Sequence, residues 1–183
     1  MSLRAVQNAD IILNDYFVPD DERFELAKDF ASGTKEVLQH SRIFVAWIAA
    51  GMAAGACEAA FKYTMQRVQF GKPVAAKQLV QAQLVKCVQL VEQSLLLCMQ
   101  ISRMYDRGEV TIGRIAMVKA ACTANCREVA AMSRNVMGGN GILLQNQAIK
   151  TLMDIEAIHT YEGSHEINTL VAGREMTGIS AIR

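Results

Sequence analysis

The stretch LVKCVQLVEQSLLLC, residues 84–98, decides the fold of this chain. Apolar side chains recur in it at steps of four and three residues, at Leu84, Val88, Val91, Leu95 and Cys98. Polar side chains around it, such as Lys86, Gln89 and Gln93, fall on another face. This period is that of an amphipathic α-helix, and it predicts a helix from about Ala75 to Tyr105.

Similar segments lie on both sides of this helix. An alanine-rich segment from Val37 to Arg67 precedes it, and an amphipathic segment from Ile112 to Met137 follows. QFGKP, residues 69–73, separates the first two, because glycine and proline both oppose a continued helix. Shorter helices are predicted near Gln145–Met153 and from Ser164 to Gly178. Long helices joined by short breaks predict an all-α fold, an up-and-down four-helix bundle.

The N-terminal part of the chain has a different pattern. Residues 5–18, AVQNADIILNDYFV, are predicted to be extended, with a turn or bulge at the ND pair, and PDDE ends this piece. One or two strands are not stable alone, so this segment is typical of the edge of a larger sheet. We therefore divide the chain into a strand remnant of a β-domain, residues 1–24, and a helical-bundle domain, residues 25–183.

Charge and hydropathy exclude several classes of function. The chain has 19 Lys and Arg against 18 Asp and Glu, so no net field attracts nucleic acid or an anionic membrane. MSLRAVQNAD is not a signal peptide, because it lacks an apolar core. The longest apolar run, Ile43–Cys57, is shorter than the roughly 20 residues of a membrane span. Its glycine pair, Gly51 and Gly55, is expected to form a close helix contact inside the bundle.

The five cysteines are odd in number and lie on predicted helices, which indicates free buried thiols in a reducing, intracellular compartment. Cys122 and Cys126 have the spacing of a shared helix face, but no histidine lies nearby to complete a zinc site. No metal site is predicted.

Three stretches are candidates for a functional site: QFGKP (69–73), MGGNG (137–141) and YEGSHEIN (161–168). Each has a structural explanation, as an interhelical turn, a helix stop, and a helix start whose acid interacts favourably with the helix dipole. Three glycines within four positions also allow close approach of a ligand, and their backbone N–H groups suit phosphate or ribose oxygens. From these residues alone, both explanations stay open.

Their combination and order are more informative. RVQFGKP, KQLVQ, MGGNGI and YEGSHEINTLVAGREMTG together resemble the C-terminal domain of the acyl-CoA dehydrogenase and acyl-CoA oxidase flavoprotein family. TYEGSHEINTLVAGREMTGI is most similar to the glutaryl-CoA dehydrogenase and short-chain acyl-CoA oxidase branch. LRAVQNADIILNDYFVPDDERF resembles the end of that family's middle β-domain. The resemblance covers essentially the whole chain and implies FAD-dependent oxidation of an acyl-CoA between its α and β carbons.

The resemblance also implies roles for individual residues. Glu162 corresponds to the catalytic base that takes the α proton, and a carboxylate in a dry pocket is a stronger base for that task. The resemblance implies a substrate contact at Arg42, near the bound CoA. From their position beside the base, Tyr161 and Gly163 are further candidate substrate residues, Tyr161 as an apolar wall and Gly163 as the turn that points the carboxylate into a cleft.

Contacts with FAD are implied at two sets of positions. The RxxFG segment, which contacts the FAD of a neighbouring subunit, corresponds to Arg67, Gln69 and Phe70, and Gln78 corresponds to a glutamine beside the flavin. The other implied contacts are Gly138, Gly139, Gly141, Ser164 and Glu166.

Family members carry an N-terminal helical domain and a middle β-domain before this one. The chain is therefore expected to be one domain of a longer enzyme or a truncated paralogue, inactive or nearly so alone and without bound FAD. The alternative is a non-catalytic helical module for oligomerisation or partner binding. The resemblance further implies an acyl-CoA substrate, a homodimer or homotetramer, and residence in the mitochondrial matrix or the peroxisome.

Overall fold

The computed structural model describes residues 1–181, with the side chain of Glu36 left out. Its helices are α1 Phe30–Gln66, α2 Gln78–Asp106, α3 Ile112–Val136, α4 Ala148–Thr160 and α5 His165–Thr177. Short 3-10 turns lie at Asp20–Glu22, Val74–Ala76, Gly138–Ile142 and Leu144–Asn146. The all-α prediction is confirmed.

The centre of the fold is α3, which packs against α1, α2, α4 and α5, while α1 and α2 also pack on each other. Small side chains on α1 face this core and allow a close approach: Ala46, Ala49, Ala53, Ala56 and Ala60. Gly51 and Gly55 are exposed instead, with open space where a side chain would be, so the predicted glycine contact is wrong. All five cysteines are buried and free, as predicted.

Two helices differ in extent from the prediction. α1 begins at Phe30 rather than Val37, because Asp29 and Ser32 form a capping box. The Asp29 carboxylate accepts a hydrogen bond from the Ser32 N–H at 2.7 Å, and the Ser32 hydroxyl accepts one from the Asp29 N–H at 3.1 Å. α4 continues beyond its predicted end, since Ile155 and Ile158 extend its buried face.

The break after α1 is a small hairpin. β1 Val68–Gln69 pairs antiparallel with β2 Lys72–Pro73, and the two residues between them, Phe70 and Gly71, have φ of 53° and 72°. Two positive φ values are required by a type I′ turn. The sequence predicted a turn here but not its strands.

Residues 5–18 form no strand in the described structure, because a strand needs a neighbour with which to pair. The turn at the ND pair is confirmed, since the chain bends there and Asp15 has φ of 46°. The first residues dock on α4: the Leu3 N–H donates to Asp154 Oδ1 at 2.7 Å, and the Ser2 hydroxyl donates to the Asp154 carbonyl at 3.3 Å.

By length and composition alone, α1 and α2 are long and apolar enough to cross a membrane. Both helices pack on α3 and contribute to the bundle core. The core helix of a bundle can be equally long and equally apolar.

Candidate active site

The segment between α4 and α5 contains a left-handed turn that carries Glu162. Glu162 has φ of 58° and Gly163 has φ of 83°. Glycine adopts this conformation freely, whereas glutamate does so at a cost in free energy. Ser164 then caps α5, since its hydroxyl accepts a hydrogen bond from the Ile167 N–H at 3.3 Å. The surroundings of the turn must therefore hold Glu162 in place.

Two buried side chains hold the turn from α1 and α5. Arg42, which is 5% exposed, donates from Nε to the Glu162 carbonyl at 3.0 Å. Asn168, fully buried, donates from Nδ2 to the carbonyls of Gly163 and Ser164 at 2.6 and 3.0 Å. A Cβ on Gly163 would lie 3.0 Å from Arg42 Nη2 and 3.1 Å from Asn168 Nδ2, so close packing also requires glycine there.

A buried lysine holds the same turn from α3. Lys119 is fully buried, and its ammonium donates to the Gly163 carbonyl at 2.8 Å and to the His159 carbonyl at 3.1 Å. Burial, with the nearby charge of Arg42, lowers the pKa of Lys119 to about 8, although Glu162 and Glu166 oppose this shift.

The Glu162 side chain is half-buried and has one hydrogen bond on one oxygen. The Ser41 hydroxyl of α1 donates to Oε2 at 2.5 Å, and no donor to Oε1 is found among residues 1–181. Within the same part of the chain, the Glu162 backbone N–H has no acceptor.

A cavity of about 570 Å³ opens beside Glu162, between α4 and the N-terminal segment. Its lining residues are Ser2, Leu3, Val6, Asn8, Ala157, Thr160, Tyr161 and Glu162. Tyr161 is partly exposed, and desolvation, with the Glu162 charge as a smaller cause, raises its pKa. The structure thus places the predicted base at the edge of a cavity with a mixed polar and apolar lining.

A second cavity, of about 450 Å³, lies between the hairpin and the loop after α3. It brings together four predicted cofactor residues, Arg67, Gln69, Gly138 and Gly139. Arg67 and Gln69 are exposed, and Arg67 has no carboxylate partner within the described residues. An anionic ligand would find an unpaired guanidinium there.

The glycines of the loop have different structural settings. A Cβ on Gly138 or Gly139 would meet nothing within 4 Å. Gly138 has φ of 58°, which favours glycine at this helix end, whereas neither packing nor a positive φ explains Gly139. A Cβ on Gly141 would lie 2.1 Å from the Arg134 carbonyl oxygen, so packing alone requires glycine there. Gly141 is buried and does not line the cavity, and its contact with a cofactor stays a prediction.

Four other predicted cofactor residues lie outside this cavity: Phe70, Gln78, Ser164 and Glu166. Phe70, at the tip of the hairpin, is 91% exposed, and Gln78 is exposed at the start of α2. Glu166 is exposed on α5, and hydrogen bonds from its own backbone N–H and from Ser164 lower its pKa.

The predicted residues therefore form two groups that are well separated along α1. Arg42 lies at the Glu162 end, and the hairpin follows Gln66, about 36 Å further along the helix. One chain does not bring its hairpin and its Glu162 together.

Sequence reasoning missed three residues that contact the Glu162 turn: Ser41, Lys119 and Asn168. Asn168 belongs to the YEGSHEIN stretch, but the sequence assigned it no role, and it is fully buried. A signal for Lys119 exists in the sequence, because it lies one turn before Cys122 on the buried side of α3. A charge on a core-facing stripe indicates a buried polar contact.

Comparisons with known proteins find relatives of this chain in sequence and in structure. The family profile "Acyl-CoA dehydrogenase, C-terminal domain" matches residues 32–177. The chain is 29% identical to cyclohex-1-ene-1-carbonyl-CoA dehydrogenase of Geobacter metallireducens, over 96% of the chain and 47% of that protein. It is 31% identical to the enzyme of the same name from Syntrophus aciditrophicus, over 96% of the chain and 43% of that protein.

Among solved structures, a glutaryl-CoA dehydrogenase from Mycobacterium smegmatis in complex with FADH2 is similar, with a TM-score of 0.82 and 28% identity. The match covers 86% of this chain and 41% of that one. The chain thus spans less than half the length of the curated relatives it matches.

Proposed function

Since the chain belongs to the acyl-CoA dehydrogenase family, whose C-terminal domain it contains, we propose that it serves FAD-dependent α,β-oxidation of an acyl-CoA thioester. In this proposal Glu162 is the base that removes the α proton. The observation that carries the proposal is the Glu162 carboxylate, held on a left-handed turn at the edge of a cavity. Relatives named as acyl-CoA dehydrogenases, one of them in complex with FADH2, support it.

The surroundings of Glu162 suit proton abstraction. The Ser41 hydroxyl fixes one carboxylate oxygen, Oε2, which leaves Oε1 for the α proton. A thioester carbonyl acidifies the α C–H only modestly, so the base must be in contact with that proton. Abstraction leaves Glu162 as a carboxylic acid.

The turn also presents a donor for the substrate carbonyl. The Glu162 backbone N–H, which donates to no acceptor in residues 1–181, suits the thioester oxygen as negative charge develops there. Buried donors to the neighbouring carbonyls keep this N–H in a fixed direction. A fixed donor needs no reorganisation during the reaction.

The cavity beside the hairpin fits part of an FAD. Arg67 offers an unpaired cation for a phosphate, and the open space at Gly138 and Gly139 allows a ligand to approach the backbone. When bound, FAD supplies the acceptor for the hydride that leaves the β carbon.

The distance between the two groups of residues supports a site shared by two copies of the chain. The hairpin lies about 36 Å along α1 from Arg42, so the hairpin that serves a given Glu162 comes from another subunit. The proposed function therefore requires the homo-oligomer that the resemblance implied. The mitochondrial or peroxisomal location stays a prediction, and the relatives named above are bacterial.

The test is Glu162→Gln in the full-length protein, assayed for dye-linked oxidation of acyl-CoA with FAD present. The amide keeps the shape of the side chain but cannot take a proton, so we expect turnover to fall about 100- to 10,000-fold. Bound FAD, measured by visible absorbance, should stay at the wild-type level.

Glu156→Gln is the matched control, since it makes the same change at an exposed glutamate on α4 whose partner is Arg127. A surface ion pair of this kind contributes about 0–1 kcal/mol, so its turnover should match that of the wild type. Near-normal turnover by Glu162→Gln would refute the assignment of the base.

A further inference from the structure

Three buried side chains donate hydrogen bonds to the carbonyls of the turn that carries Glu162. A glutamate at positive φ, followed by a glycine at positive φ, persists only where its surroundings over-determine it. Arg42 and Asn168 hold the carbonyls of residues 162–164 from α1 and α5. Lys119 adds a third donor from α3.

Lys119 differs from the other two donors in what it connects. His159 lies in the last turn of α4, and its carbonyl is one of those that a helix end leaves without a partner. Gly163 lies beyond Glu162, in the turn itself. By binding both carbonyls, at 3.1 and 2.8 Å, one ammonium group joins the end of α4 to the far side of Glu162.

Complete burial of a lysine side chain is unfavourable in free energy. Removing an ammonium from water is costly, and apolar side chains of similar volume would pack the same site without that cost. The Lys119 ammonium donates to backbone carbonyls, and no ion pair of Lys119 is found within residues 1–181. Packing alone therefore does not account for this residue.

We infer that Lys119 is a positioning residue that fixes the direction of the Glu162 carboxylate by holding the carbonyls on both sides of it. This inference rests on the proposed function, in which Glu162 is the base. Reaction rates depend steeply on the placement of a base, and an error of about 1 Å can lower them about 100-fold.

The first test is hydrogen exchange, which needs no activity. In Lys119→Met, the hydrogen-bonded amides of Tyr161 and Asn168, which flank the turn, should exchange at least about tenfold faster than in the wild type, because local opening is easier once a clamp is removed. Ile115→Ala is the control. It creates a cavity in the same helix, at a residue 1% exposed, and leaves the Lys119 contacts in place. In this control the Tyr161 and Asn168 amides should exchange no faster than the change in global stability of the variant explains.

The second test is steady-state kinetics of the full-length protein. Lys119→Met should lower kcat at least about tenfold and change KM little, with a larger isotope effect for α-deuterated acyl-CoA. Lys119→Gln, which keeps a shorter N–H donor, should recover part of the kcat, and it replaces Lys119→Met in both tests if that variant does not fold.

Two results would contradict different claims. If the Lys119 variants match Ile115→Ala in both hydrogen exchange and kcat, the positioning role is wrong. Retained turnover in Glu162→Gln would overturn the proposed function, whereas the exchange data would still report on the clamp.

Discussion

At the scale of single residues, Gly163 is the position where backbone and surroundings both exclude a side chain. Its φ of 83° disfavours other residues, and a Cβ would press on Arg42 Nη2 at 3.0 Å. We expect Gly163→Ala to lower the free energy of unfolding by about 1–3 kcal/mol. It should also displace Glu162, because Arg42 and Asn168 must move.

Gly173→Ala is the matched control for this change. Gly173 lies inside α5, and a Cβ there would meet nothing within 4 Å. Alanine is a better helix former than glycine, so this variant should gain about 0.5–1 kcal/mol. Denaturant melts of the two variants should show opposite changes in the free energy of unfolding. Equal changes would contradict the explanation.

Lys119 gives a prediction about pH. Its pKa is about 8 in the folded chain, against an ordinary value of 10.5, because burial and Arg42 outweigh Glu162 and Glu166. Between these two pH values the unfolded chain holds a proton that the folded chain has released, so the free energy of unfolding rises with pH. The contribution of Lys119 to this slope is at most about 1.4 kcal/mol per pH unit.

Denaturant melts at several pH values from 7 to 10.5 measure this slope. Lys119→Met should lose that part of the rise, while Ile115→Val, which removes no titratable group, should keep it. If Lys119→Met keeps the wild-type slope of the free energy of unfolding against pH, the pKa of Lys119 is not the cause of that slope.

At the scale of elements, the loop after α3 separates glycines needed for folding from those available to a ligand. Gly141→Ala should destabilise the fold by at least about 2 kcal/mol, because its Cβ would overlap the Arg134 carbonyl oxygen. Gly139→Ala should keep the wild-type stability, since nothing lies within 4 Å of its Cβ. If FAD lies along the loop, Gly139→Ala should still bind it more weakly in a titration. Unchanged affinity would argue against a contact at Gly139.

The helices show how far local patterns predict this fold. The periods of α2 and α3 gave their bounds to within a few residues, because one face of each helix is buried along its length. The start of α1 was missed because residues 30–35 include no buried apolar side chain, so only the capping box of Asp29 with Ser32 marks this end. The hairpin strands were missed since each has only two residues and depends on the other.

The candidate site was predictable only in part, because some of its residues come from distant segments of the chain. Glu162, Arg67 and the glycines stand in recognisable motifs. Ser41 and Lys119 come from separate helices and approach Glu162 only in the folded chain. Contacts between distant segments leave no local period, so only the polar residue on a core stripe marks Lys119.

At the scale of the whole molecule, apolar side chains remain exposed on the outer faces of α1 and α2. They include Phe44, Ile48, Phe61, Val85 and Leu96. Extended apolar surface of this kind is typical of an interface. Such an interface between copies of the chain would fit the proposed site shared by two subunits.

A shared site makes a prediction about mixed assemblies of the full-length protein. Glu162→Gln removes the proposed base, and Arg67→Glu puts a carboxylate where we propose that an anion binds, so each variant alone should be inactive. If each site takes Glu162 from one subunit and Arg67 from its partner, a mixed dimer contains one site with both wild-type residues. Random pairing of equal amounts, after co-expression or dissociation and reassembly, should then restore about a quarter of the wild-type sites. Measured turnover should rise accordingly, whereas sites built within single chains would give none, because every chain lacks one of the two residues.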